Sequence, residues 1–194
     1  MGKFGKEDYN EQMIVGLLSR FMLSNPKYII ENLYVFDWES DLLLVTNSGY
    51  YYEFEVKITL SDFKRDFDKT AKHQIMRSGK KESRSYRKVN GKVVESVREY
   101  PRKRPNYFFY AVPYYLEEKV SELVPEYAGL VVIDEGGHPI TRKKAPKLHS
   151  DKNDINLQDK FYHNWRNAKS NNERLTKEIR MLNEKLRIPH ADVL

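Results

Sequence analysis

Asp41-Leu-Leu-Leu-Val-Thr46, Asn47-Ser48-Gly49 and Tyr51-Tyr-Glu-Phe-Glu-Val-Lys-Ile58 decide how this chain folds. Two apolar runs flank a turn triplet, which predicts an antiparallel hairpin. Strand side chains alternate, so Tyr52, Phe54, Val56 and Ile58 share one face. Tyr51, Glu53, Glu55 and Lys57 share the other. Glu55 and Lys57 then stand about 6.6 Å apart along one face. A carboxylate and an ammonium held this way suit a hard cation and an activated water at one phosphate. The acid-x-Lys triplet alone says little, because Asp62-x-Lys64 and Glu117-x-Lys119 also have it. Only Glu55-x-Lys57 lies on an apolar strand, and only it follows a strand opened by a carboxylate, Asp41.

Working outward, Leu33-Tyr-Val-Phe36 reads as a preceding strand. Residues 7–24 read as a helix with Ile14, Val15, Leu18, Phe21 and Met22 at helical spacing, stopped by Asn25-Pro26. On the other side, residues 61–75 read as one helix with apolar points at Phe63, Phe67 and Ala71. Thr59 and Asp62 stand at capping spacing before it. Lys72, His73 and Gln74 close that helix near the candidate site in sequence; a solvated helix end is the preferred reading and substrate contact the alternative. Residues 106–112 and 129–133 are apolar throughout, as buried strands are. A turn at Pro113 and a helix near 116–123 separate them. This crossover predicts a mixed sheet with helices on both faces. A turn at Glu135-Gly-Gly137 leads to a last extended piece at 139–142.

Residues 159–187 read as a long polar helix. Phe161, Trp165, Ala168, Asn172, Leu175, Ile179, Leu182 and Leu186 recur at alternating steps of four and three, with one Asn in the seam. The preferred reading is an amphipathic helix along its own domain; the alternative is a homodimer through this helix. Residues 1–150 are thus expected to form the domain and 151–194 a C-terminal helical extension.

The 194 residues contain no Cys, which excludes disulfides, thiolate metal sites and a cysteine nucleophile. No stretch approaches 18 apolar residues and the N-terminus has no apolar leader, so no membrane partner and a cytoplasmic location are expected. Five His show no ligand spacing, and neither a P-loop nor a G-x-S-x-G elbow occurs. Charge is concentrated in one place. Residues 77–105 hold eleven Lys and Arg against three Glu, a net +8 in a chain of +6. Asn90-Gly91 inside this stretch predicts a two-residue turn, hence a basic hairpin inserted into the domain. Such a patch is the footprint of a polyanion, most often nucleic acid. The candidate contacts are Lys80, Lys81, Arg84, Arg87, Lys88, Lys92, Arg102, Lys103 and Arg104.

Asp41 opening one strand, Glu55-Val-Lys57 closing the next and a helix directly after resemble the core of the PD-(D/E)xK nuclease superfamily. The order Glu55-Val-Lys57, Ser61-Asp62-Phe63, Asp66, Phe108-Phe-Tyr-Ala-Val-Pro113, Gly129-Leu-Val-Val-Ile-Asp134 and 140–146 is similar to its MmcB-like group, nucleases assigned to DNA repair. The likeness spans about residues 35–148. It implies a restriction-endonuclease-like α/β fold and magnesium- or manganese-dependent hydrolysis of DNA. By that resemblance Asp41 and Glu55 are metal-binding acids, the Val56 carbonyl completes the metal shell, and Lys57 positions the water. A further glutamate from the first helix is expected at Glu11, with Glu7 second. Ser40 replaces the proline of the superfamily name, and the group's short form lacks the basic insertion. The alternative is a catalytically inactive nuclease fold that grips DNA or a repair partner.

Overall fold

A computed structural model describes residues 3–89, 92–153 and 155–186. Two compact units divide at residues 154 and 155. The first is built on a six-stranded sheet in the order β1-β2-β3-β6-β7-β8. Its strands are β1 (Tyr28–Tyr34), β2 (Glu39–Val45), β3 (Tyr51–Val56), β6 (Tyr107–Pro113), β7 (Gly129–Ile133) and β8 (Pro139–Lys143). β1, β2 and β3 pair antiparallel, β3, β6 and β7 parallel, and β8 returns antiparallel. This is the expected mixed α/β sheet with helices against it.

Alternation along the strands sorts the core into two layers. Leu42, Leu44, Phe54, Val56, Phe109, Ala111, Val131 and Ile133 pack under helix α1 (Glu11–Phe21), which contributes Ile14, Val15 and Leu18. Phe54 and Phe109, register partners on parallel strands, stack with centroids 5.2 Å apart. The opposite face carries Leu43, Glu53, Glu55, Phe108 and Tyr110, all buried, with the rings of Phe63 and Tyr110 4.8 Å apart. Phe63 belongs to α2 (Leu60–Asp66); α3 (Thr70–Ser78) follows and buries Ile75 and Met76.

Four sequence expectations change. The helix expected over 7–24 starts at Glu11, because the Asn10 side chain accepts from Met13 N at 2.9 Å and ends the chain's extended approach there. The strand expected at 33–36 is β1, earlier and longer. Asn32 takes φ 50°, a left-handed conformation asparagine tolerates, so buried Ile30 and Leu33 fall three apart and hide the period of two. The single helix expected over 61–75 is two, broken at 67–69, although Thr59 caps its start as expected. The helix near 116–123 is short: α4 (Glu117–Val120) lies between two single 3₁₀ turns.

Gly79 ends α3 at φ 71°, its N–H bonded to Ile75 O, and lets the chain turn straight into the insertion. β4 (Lys80–Val89) and β5 (Lys92–Pro101) form a separate two-stranded antiparallel sheet. The predicted turn pair, Asn90-Gly91, lies outside the described residues. The second unit carries α5 (Leu157–Leu186), on which Phe161, Leu175, Ile179 and Leu182 are exposed. No helix among the described residues is long and apolar enough to cross a membrane.

Candidate active site

The β2–β3 register pairs Leu42 with Phe54, which sets Asp41 opposite Glu55 at the strand ends. Asp41 Oδ2 accepts a 2.7 Å hydrogen bond from Val56 N, tying it to the edge of β3. On the α2/α3 side, Lys57 Nζ lies 2.9 Å from Glu55 Oε1 and 3.5 Å from Asp62 Oδ2. Only 8% of the Lys57 side chain is exposed, so its ammonium faces the acids rather than solvent. Asp41, Glu55 and Lys57 therefore come together. Glu11 sits exposed in the first turn of α1, within electrostatic reach of Asp41.

Burial, then the charge of Glu55, push the Asp41 carboxyl up to about 7, against the Val56 hydrogen bond and Lys57; Glu11 adds to the push. Lys57 is the converse. Burial works against its charge, but Glu55, Asp66 and Asp41 outweigh it and hold the ammonium above the usual lysine value.

Lys72, expected at a solvated helix end, and Lys69, which no sequence signal singled out, complete the cluster. Lys72 is buried with Nζ 2.6 Å from Glu55 Oε2, and Lys69 Nζ is 3.2 Å from Glu55 Oε1. Both also reach Asp66, at 3.7 and 2.9 Å. Asp66 is buried and accepts from Tyr110 OH at 2.7 Å. Burial favours its neutral form, but Lys72, Lys69 and Tyr110 hold it far below the usual carboxylate range. His73 is equally buried: one ring nitrogen contacts Asp66 O at 2.8 Å and the other Tyr127 OH. Lys72 and His73 are thus interior, not a solvated helix end. The break at 67–69 makes this reach geometrically available, because α3 starts a new axis after Asp66.

Glu53, on the same face, is also sequestered. Trp38 Nε1 donates to its Oε1 at 2.7 Å, while Oε2 and the nearby strand's Ser40 Oγ lack hydrogen-bond partners among the described residues. Burial pushes this carboxyl up to about 8. A cleft lined by Asp37, Trp38, Lys69, Lys72 and Lys81 opens beside the cluster.

Of the candidate DNA contacts, Lys80, Arg84, Arg87, Lys88, Lys92 and Lys103 are exposed and Lys81 half-buried. Arg102 pairs with Asp37 at 3.1 Å. Arg104 is the exception. Its guanidinium donates to the carbonyls of Ile75, Met76 and Leu148, bracing α3 against the chain after β8, and burial lowers its pKa. It is a structural brace, not a surface contact.

No three His, Cys, Asp or Glu side chains among the described residues are grouped to hold a metal by themselves. Asp41, Glu55 and the Val56 carbonyl are hard oxygen donors at one strand end. Two carboxylates with few further ligands is the sparse donor set that magnesium accepts. A pair of acids, one of which burial and its neighbour hold partly protonated, fits a divalent cation. Lysines at both oxygens of Glu55 compete for the same role.

No family model and no curated protein matches the chain. A solved structure, a protein of unknown function from Silicibacter pomeroyi, is similar with a TM-score of 0.52 and 14% identity, over 84% of this chain and 90% of that one. At this identity the likeness carries the fold: a mixed α/β sheet flanked by helices.

Proposed function

We propose that this chain hydrolyses DNA phosphodiesters with a divalent metal, in the manner of a PD-(D/E)xK repair or processing nuclease. The observation that carries the reading is the meeting of Asp41, Glu55 and buried Lys57 at the end of β3, beside a cleft with further lysines. Asp41, Glu55 and the Val56 carbonyl would hold magnesium or manganese, which when bound supplies charge neutralisation and a water of lowered pKa. Lys57 donates to a non-bridging phosphoryl oxygen beside the water. It thereby stabilises the charge that develops as the water oxygen bonds phosphorus and the P–O bond to the sugar oxygen breaks. The water's proton passes to solvent, and a solvent proton completes the leaving hydroxyl. Lys69 and Lys72 hold the Glu55 carboxylate in place, one at each oxygen. The product is a phosphomonoester and a free hydroxyl.

The experiment is a magnesium and manganese titration against duplex, single-stranded, flapped and branched DNA. Divalent-dependent cleavage of at least one supports the reading.

A second reading has its own observation: three ammoniums already pair with Glu55, at 2.9, 3.2 and 2.6 Å. Under it the chain is a nuclease-fold module that binds DNA and leaves it intact. Binding of the same panel with no cleavage at any divalent concentration selects this second reading.

A further inference from the structure

The insertion's charge is sorted by face. β4 and β5 pair Lys81 with Tyr100, Ser83 with Arg98, Ser85 with Ser96, Arg87 with Val94 and Val89 with Lys92. Partners across an antiparallel ladder share a face, and alternate positions share it along each strand. One face therefore carries Lys81, Arg87, Lys92 and Arg98 with three serines and no acid. The other carries Lys80, Arg84 and Lys88 together with all three acids, Glu82, Glu95 and Glu99, and is neutral.

The ion pairs follow the same division. Lys80 Nζ lies 2.6 Å from Glu99, Arg84 reaches Glu82 and Glu95 at 3.5 and 3.4 Å, and Tyr86 OH donates to Glu95. Among the described residues no ion pair forms on Lys81, Arg87, Lys92 or Arg98. The faces also open differently toward the domain. Lys81 lines the cleft shared with Lys69 and Lys72 beside Glu55, whereas Glu82 and Glu99 line a separate one with Phe67 and His73.

We propose that the acid-free face of the ribbon grips the phosphate backbone of duplex DNA and delivers it to the Lys69–Lys72 cleft, while the opposite face makes no phosphate contact. This rests on the DNA-binding half of the proposed function. A ten-residue strand spans about 34 Å, roughly one turn of B-DNA. Unpaired Lys and Arg displace counterions, and serine hydroxyls add neutral phosphate hydrogen bonds. On the balanced face Lys80 and Arg84 already have carboxylate partners, so a phosphate there would have to break those pairs and meet three carboxylates.

The test uses the full chain and mixed-sequence duplex DNA in EDTA, with affinity measured at several salt concentrations. The first variant is K81Q/R87Q/K92Q/R98Q. The second, K80Q/E82Q/R84Q/K88Q/E95Q/E99Q, removes as many negative as positive charges. The first should lower the slope of log affinity against log salt by about 3–4, at about 0.9 per contact, and weaken binding more than tenfold. The second should leave slope and affinity within error of the parent. Lys81→Gln/Arg98→Gln and Arg87→Gln/Lys92→Gln as separate doubles should each give about half the loss, which guards against collapse of the ribbon in the quadruple variant. Equal losses in both full variants, or an unchanged slope in the first, overturn the face assignment while DNA binding itself stands. A parent chain that binds no DNA at all overturns the functional reading and this proposal with it.

Discussion

The cluster around Glu55 and the ribbon of β4 and β5 are made of the same residue types, Lys and Glu, in opposite surroundings. At the cluster, Glu55, Lys72 and Asp66 are almost fully buried and each has a specific partner within ion-pair distance. On the ribbon nearly every charge is exposed. Buried charges that lose a partner are costly, whereas exposed pairs contribute little to stability and are screened by salt. The cluster's charges should therefore govern folding and chemistry, and the ribbon's should govern only association.

The sharpest way to break that contrast is to neutralise one buried partner. Glu55→Gln leaves Lys57 and Lys72 facing an uncharged amide in the interior. The expected loss is about 3–5 kcal/mol in urea unfolding, the range for orphaning a buried charge. A loss near zero would mean that water reaches the cluster freely. Lys57→Ala should come next, with cleavage reduced about 10²–10³-fold, as when one preorganised charge stabiliser is removed. Cleavage kinetics on whichever substrate is cut best reads this directly.

Acid should expose the cluster before it touches the ribbon. Burial lowers the His73 pKa, so folded His73 refuses a proton that the unfolded chain accepts below about pH 6.5. That stability is complete above pH 6.5 and lost as pH falls through the folded value. Asp66, held low by its lysines, adds a second loss below about pH 4. Asp41 and Glu53 work the other way, because their raised carboxyls take up protons in the folded chain and add stability as pH falls below about 8. The check is therefore a difference: between pH 8 and 5 the parent should lose stability relative to His73→Gln. The smallest effect is expected from removing the ribbon. Gly79 O already accepts from Arg102 N at 2.8 Å, so the ends meet without it. Deleting residues 80–101 should change core stability by less than about 0.5 kcal/mol.

The sequence made the Glu55–Lys57 face legible because its cause is local: a turn at Asn47-Ser48-Gly49 and a period of two along β3. Asp41 was legible for the same reason, as the residue opposite across a short hairpin. Lys69 and Lys72 were not. Phe63, Phe67 and Ala71 fall at steps of four, so the pattern reads through the break that turns α3 toward Glu55. A buried lysine also looks like any other in a sequence; only its tertiary partner distinguishes it. β1 was obscured by one left-handed asparagine. The ribbon's division of charge lies in between, since a two-residue connection fixes the register and hence which positions share a face.

The account stands most directly on Asp41→Asn. The amide keeps an oxygen for the Val56 N–H and removes a buried negative charge beside Glu55, so folding should be retained or slightly improved. The measurement is DNA cleavage by parent and variant across a magnesium titration, with melting followed in parallel. The account predicts divalent-dependent cleavage in the parent and its loss in an equally stable variant. Cleavage undiminished by Asp41→Asn, or none in the parent at any magnesium or manganese concentration, would contradict it.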